Sequence, residues 1–403
     1  LTSIFISTYI YRFGFVPNGN RVYYLQRSQP PLLTMMVYDL FVARNHEISI
    51  LDEPVGSKQT PLIDILEREF KYWLNNHSTN ITLDGNSLTT YQYRTKSNTP
   101  RPESYGKDVK DASDVPESDR PTVYTNLATM AESGWDFSSR WLKNERKLSS
   151  ANISAIVPLE LNTYLCRTSD ILAKFFAAKK DTTKQHKYTQ LHDEFVDMVQ
   201  RIHWNDSLGT WLDYNMTAAK HNTEFVANAF VPLFTECVPK DKIDESARSV
   251  VQWAKKQGAM DYINGIPTTL KHSEQQWDFP NGWPPLIHMA IYGLLKSNDA
   301  DLAELAYNIT IRWVTVNFKV WAKMKHIFEK YDVADRSCLA GHGGEYDVQK
   351  GFGWTNGVLL DLLKTYGHNL SVSEVTCGSA RHLMSTMCLI IVSILSIINR
   401  SLQ

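Results

Sequence analysis

Residues 159–176, LELNTYLCRTSDILAKFF, carry Leu161, Leu165, Ile171, Leu172 and Phe175 at intervals close to 3.6. That period puts five apolar side chains on one stripe of an α-helix. Residues 61–74, PLIDILEREFKYWL, repeat the pattern with Leu62, Ile65, Leu66, Phe70 and Leu74. The same reading predicts helices near 187–201, 242–257, 285–296, 300–326 and 356–366. No convincing run of alternating strand pattern stands beside them. Asp64, Asp193 and similar acids on these helices read as solvated faces. The chain is therefore expected to be all-α, with one helical domain over 1–370. Only 94–122 looks linker-like.

The composition excludes some functions. With 42 basic and 43 acidic residues among 403, no bulk charge favours nucleic acid. Cys166, Cys237, Cys338, Cys377 and Cys388 show no C-x-x-C spacing, so no zinc or redox site is expected, and no other metal or cofactor. Cys166 lies on an apolar helix face and reads as a buried thiol. Asn76, Asn80, Asn152, Asn205, Asn215, Asn308 and Asn369 each begin an Asn-x-Ser/Thr sequon. Seven such sites spread over residues 76–369, with an eighth at Asn399, favour a secreted or lumenal protein.

The ends are unusual. Leu1 is not a methionine, and the chain is soon inside a dense loop, which suggests that an upstream part is missing. Residues 383–398, LMSTMCLIIVSILSII, hold no charge. They are short for a spanning helix, which needs about 20 residues. They suit the tail of a lipid-anchor signal, with Ser371 or Ser373 as acceptor and EVTCGSARH as spacer. Residues 371–403 are thus expected to attach the protein to a membrane.

The chemistry is expected in loops at helix ends. PNGNRVYYLQRSQPP (17–31) offers Asn18, Arg27, Ser28 and Gln29; RPESYGKD (101–108) offers Arg101, Pro102 and Glu103. AESGWDFSSRW (131–141) sets Asp136 between Trp135 and Phe137, after Gly134. QQWDFPNGWPP (275–285) holds two indoles and an acid, which its helix-starting prolines do not explain. Residues 328–358 carry Glu329, Asp332, a glycine cluster with His342, Glu345 and Trp354. Arg, Asn, Gln and carboxylates bind neighbouring hydroxyls, and Trp packs on sugar C–H faces. Cleaving a glycosidic bond needs two further carboxyl groups. An apolar wall raises the pKa of the proton donor, and Asp136 has the neighbours for that. As alternatives, Asp136 caps the following helix and Glu329 is a surface acid.

Together these loops resemble the trehalases, inverting glycoside hydrolases that split α,α-trehalose into two glucoses. QWDFPNGWPP resembles their second signature, and PNGNRVYYLQRSQPP, RPESY, ESGWDFSSRW and EKYDV…GGEY…GFGWTNGV match other family blocks in order. The resemblance covers roughly residues 15–365. It implies an (α/α)6 toroid, incomplete at the N-terminus, with Asp136 as general acid and Glu329 as base. It places Asn18, Arg27, Ser28, Gln29, Arg101, Pro102, Glu103, Gly134 and Glu345 at substrate-binding positions. Trp277, Asp278, Trp283 and Trp354 are added as pocket walls. Inversion requires the two carboxyls roughly 6.5–9.5 Å apart, with room for water. The family's first signature is absent and is expected upstream of Leu1. His342 interrupts the usual glycine run before Glu345. The expected protein is a trehalase on the extracellular face of the plasma membrane, lipid-anchored or single-span. Another glycosidase or phosphorylase on the same toroid, and a non-catalytic sugar-binding or receptor protein, are the alternatives.

Overall fold

The structure, a computed structural model, describes residues 2–370 except Asp84 and Glu145, with side chains from Ser7 onward. The expected membrane tail, 371–403, lies outside the described residues. Among the described residues no helix is long and apolar enough to cross a membrane. The chain divides into two compact units, Leu1–Glu224 with Val231–Val250, and Phe225–Phe230 with Val251–Gln403.

In the first unit, helix Leu159–Ala178 packs against Thr182–His203 and touches Leu33–Ala43 and Leu62–Asn76. The expected stripe is fully buried, and so is most of the rest of this helix. Its buried polar residues, Glu160 and Asn162 among them, therefore need partners on the elements around it. Phe175 meets the Phe41 ring edge-on at 5.3 Å. Burying a side chain of that size contributes about 1.5–3 kcal/mol. The turn between the two helices places Lys180 at φ 61°, and Asp181 then caps the next helix by accepting the N–H of Lys184 at 3.0 Å.

Four expectations fail in this unit. Strands do occur: Ser78–Leu83 and Asn86–Tyr91 form an antiparallel hairpin. It is held by the buried Asn162, which accepts from Tyr91 N at 3.0 Å and donates to Tyr91 O at 3.0 Å. The 94–122 segment is not a linker, because Arg101, Asp108 and Ala112 are buried and Tyr105–Asp111 is helical. Cys166 is not a free thiol; it is disulfide-bonded to Cys237, 71 residues away. Asp64 and Asp193 are exposed, yet Glu67 and Glu69 on helix Leu62–Asn76 are buried. Glu67 accepts from Tyr188 Oη at 2.6 Å.

In the second unit, helix Pro284–Leu294 starts on its two prolines and packs against Ala300–Met324 and Gly353–Tyr366. Asp299 caps Ala300–Met324 by accepting from Asp301 N and Leu302 N, and Lys325 ends it in the left-handed region at φ 59°. A two-residue ladder pairs Asn281–Gly282 with Tyr331–Asp332. That ladder holds the loop before one helix beside the chain that carries Glu329.

Candidate active site

Each unit carries one group of the expected residues. In the first, helix Arg120–Ser133 ends at Gly134, which is left-handed at φ 77°. A side chain here would be strained, and its Cβ would stand 3.2 Å from Gln29 Oε1. The glycine therefore lets the chain turn sharply into Trp135 and Asp136. Asp136 is half-buried between two buried rings. It does not cap the next helix, because the cap of Ser139–Trp141 is Ser138.

The 17–31 loop comes to the same place. Gln29 Nε2 donates to Ala131 O at 2.7 Å, and Ser28 Oγ donates to Val16 O at 2.9 Å. Arg27 Nε donates to Asn18 Oδ1 at 2.6 Å, and the guanidinium also pairs with Glu103. Arg101 is held by Asp108 through Nη2 to Oδ1 at 2.6 Å and Nε to Oδ2 at 3.0 Å, and it lies 4.9 Å over the Phe137 ring. Pro102 opens the short turn Pro102–Ser104 between Arg101 and the helix. Asn18, Arg27, Ser28, Gln29, Arg101, Glu103 and Gly134 are thus brought around the chain that bears Asp136.

Three supports were not visible in the sequence. Buried Glu132 accepts Ser28 N at 2.9 Å and Arg94 N at 2.7 Å. Burial pushes its carboxyl up to about 8, against the pull of those two N–H groups and Arg27. Arg140 is buried with Glu160 and Asp213: Nη2 reaches Glu160 Oε2 at 2.5 Å and Nε reaches Asp213 Oδ2 at 2.6 Å. Its guanidinium packs over Trp135 at 4.5 Å and Trp141 at 4.0 Å. Asp108 is the third.

In the second unit Glu329 is buried, yet two donors reach its carboxyl and one cation stands near it. Tyr346 Oη donates to Oε1 at 2.9 Å, and Gln349 N reaches Oε2 at 3.5 Å. Lys330 is adjacent and donates to Gln276 Oε1 at 2.8 Å. Burial pushes the Glu329 carboxyl up, opposed by the Tyr346 phenol, the Lys330 cation and the Gln349 N–H. Trp354 Nε1 and Thr355 Oγ1 donate to the Glu329 carbonyl at 3.2 and 3.3 Å.

The indoles before the helix have an inward role. Trp277 stacks on Trp283 at 3.9 Å with 1° between planes, and Trp354 stands edge-on to both. Asp278 is fully buried and accepts from Thr269 and Ser273. Asp278 and Trp283 therefore shape the loop and are not pocket walls, contrary to expectation. Asn281 fixes the glycine loop: Nδ2 donates to His342 O at 2.8 Å, and His342 N donates to Oδ1 at 3.0 Å. Gly343 and Gly344 adopt φ 83° and 90°, whereas His342 is not among the positive-φ residues. The histidine occupies the one position of that run where a side chain is accommodated, pointing out to solvent. Glu345 follows, half-buried, next to Tyr346.

The trehalase family profile matches residues 4–367. The chain belongs to the trehalase family. It is 38% identical to the trehalase of Oryctolagus cuniculus over 391 residues, covering 96% of this chain and 64% of that one. It is 38% identical to the trehalase of Homo sapiens over 362 residues, 89% of this chain and 60% of that one. For the trehalase of Apis mellifera the figures are 38% over 368 residues, 90% and 57%. The chain thus spans 57–64% of the length of these trehalases. Among solved structures, the neutral trehalase of Saccharomyces cerevisiae aligns with a TM-score of 0.63 at 22% identity, over 89% of this chain and 66% of that one. A family 63 mannosylglycerate hydrolase from Thermus thermophilus, solved with glucose, gives a TM-score of 0.51 at 15% identity, over 84% and 76%. The fold class is the all-α one of the (α/α)6 toroid, as the trehalase-like loops imply. The family profile runs through both compact units, and the loops around Asp136 and Glu329 both fall within it.

Proposed function

We propose that the protein hydrolyses α,α-trehalose to two glucoses with inversion. The observation that carries this reading is the contrast between two carboxylates in trehalase-family loops. Asp136 sits among aromatic rings beside sugar-binding side chains, and Glu329 is buried yet supplied with hydrogen-bond donors. In this reading Asp136 gives a proton to the bridging oxygen as the C1–O bond breaks. Glu329 takes a proton from the water whose oxygen attacks C1. Arg27, Arg101 and Glu103, with Asn18, Ser28, Gln29, Pro102, Gly134 and Glu345, hold the glucosyl hydroxyls. The chemistry needs no metal or cofactor.

The test is incubation with trehalose, maltose and sucrose, with and without phosphate. Glucose from trehalose alone, indifferent to phosphate, is the expected result. Phosphate-dependent release of glucose 1-phosphate would establish a phosphorylase instead. Calorimetric binding of trehalose without turnover would establish a non-catalytic sugar-binding protein.

We also infer that the protein works outside the cytosol, attached to the outer face of the plasma membrane by residues 371–403. The Cys166–Cys237 disulfide supports an oxidising compartment. The seven sequon asparagines among the described residues are at least partly exposed, as glycan acceptors must be. Release from cells by a phosphatidylinositol-specific phospholipase is expected for a lipid anchor; retention in the membrane would mark a spanning helix. Recovery of intact tail-containing protein in the soluble fraction would overturn both.

A further inference from the structure

We propose that Tyr346 is a positioning residue for Glu329: its phenol holds one carboxyl oxygen so that the other is presented to the attacking water. The inference rests on the reading of Glu329 as the base. Its basis is the way the 341–350 loop is built. Asn281 anchors His342 at both backbone polar groups. Gly344 N then donates to Glu274 O at 3.0 Å, and Lys330 Nζ donates to Gly343 O at 3.3 Å. A Cβ at Gly343 would stand 2.7 Å from Glu274 O, so the approach is closed to other residues. Held at these points, the chain delivers Tyr346 with its hydroxyl 2.9 Å from Glu329 Oε1 and its ring 5.8 Å from the Lys330 ammonium.

A carboxylate on a two-carbon stem is otherwise free to rotate about its last bond. A single well-placed donor fixes that rotation, and a charged acceptor makes the bond stronger than a neutral one. The charged and titratable groups that face the carboxyl are Tyr346 from this loop and the neighbouring Lys330, with the Gln349 N–H completing the set. Of the three, the phenol is the first to oppose the effect of burial. The Tyr346 residue is 40% exposed. Removing its hydroxyl leaves the ring in place, and the loop anchors named above do not involve it.

The test compares wild type with Tyr346→Phe in the full protein. For the variant kcat is expected to fall about tenfold. KM is expected to stay within error, and the thermal midpoint to fall by no more than one lost hydrogen bond accounts for. The acid limb of kcat/KM should move to higher pH, because the ionised base has lost a donor. An unmoved acid limb, or a loss confined to KM, would overturn the proposal. Carbon-13 NMR titration of the Glu329 carboxyl in both proteins needs no turnover. A higher midpoint in Tyr346→Phe supports the positioning role even if trehalose is not cleaved, and equal midpoints refute it. Failure of the wild type to cleave trehalose would instead overturn the function proposed for the site.

Discussion

The backbone N–H of Ser28 donates to Oε1 of Glu132 at 2.9 Å, while the other oxygen of that buried carboxyl takes the N–H of Arg94 at 2.7 Å. One side chain thus fastens the segments that lead to Arg27 and to Arg101 onto the helix that leads to Asp136. In Glu132→Gln the amide has only one oxygen to offer the two N–H donors. One buried donor goes unpaired, which costs about 1–3 kcal/mol. Chemical denaturation should show that loss. Trehalose KM should rise as well, since the residues on these loops would be less well placed.

Glu69 carries a pH signature. Burial alone raises its carboxyl from 4.5 to about 8. The folded form therefore keeps a proton that the unfolded chain releases above 4.5. Stability from this residue is complete below pH 4.5 and is lost as pH rises through 8. Glu69→Gln removes that dependence. Its stability relative to wild type should grow by up to about 1.4 kcal/mol for each pH step of one across that window. Thermal midpoints from pH 5 to 8 read this directly, and parallel curves would contradict it.

Arg140 should be intolerant of change. Its guanidinium pairs with both Glu160 and Asp213, and all three side chains are almost wholly buried. Arg140→Met leaves two buried carboxylates facing each other without a cation. Removing one partner from such a group costs about 3–5 kcal/mol. A triple replacement by apolar residues should recover part of the stability. It should not recover activity, because the rings of Trp135 and Trp141 would lose the surface they pack on.

Asp136→Asn and Glu329→Gln are nearly isosteric. Each should lower turnover by about 100- to 10,000-fold, the usual contribution of a general acid or base. Circular dichroism should be unchanged. Proton NMR in the first minutes should show equal amounts of α- and β-glucose, one from each half of trehalose. Early α-glucose alone would require retention and a covalent intermediate.

What the sequence revealed depends on the range of the interaction. Leu161, Leu165 and Phe175 identify their helix because a 3.6-residue period is local. The hairpin escaped notice because Ser78–Leu83 buries only Ile81 and has no clean alternation. Residues 94–122 look like a linker by composition. Their burial rests on the Arg101–Asp108 pair, and composition does not register a pair. Asp136 stood out by its aromatic neighbours as well as by the family resemblance of its loop, and Glu329 by the resemblance of its loop alone. Glu132, Arg140 and Tyr346 stand in those same loops, but their partners are 20 to 104 residues away or lie in a fold-back turn. The misreading of Cys166 has the same origin. An apolar helix face suits a thiol and a half-cystine equally well.

The bond between Cys166 and Cys237 encloses most of helix Leu159–Ala178's C-terminal half, all of Thr182–His203 and the short strands that follow. A protease that cuts once inside 167–236 therefore makes two peptides but not two molecules. Both pieces keep their hold on each other through sulfur as well as through the packed helices. Such a clipped protein would run as one band on a non-reducing gel and as two after thiol treatment. Ageing or processing in a protease-rich fluid could accumulate cuts there without releasing any fragment.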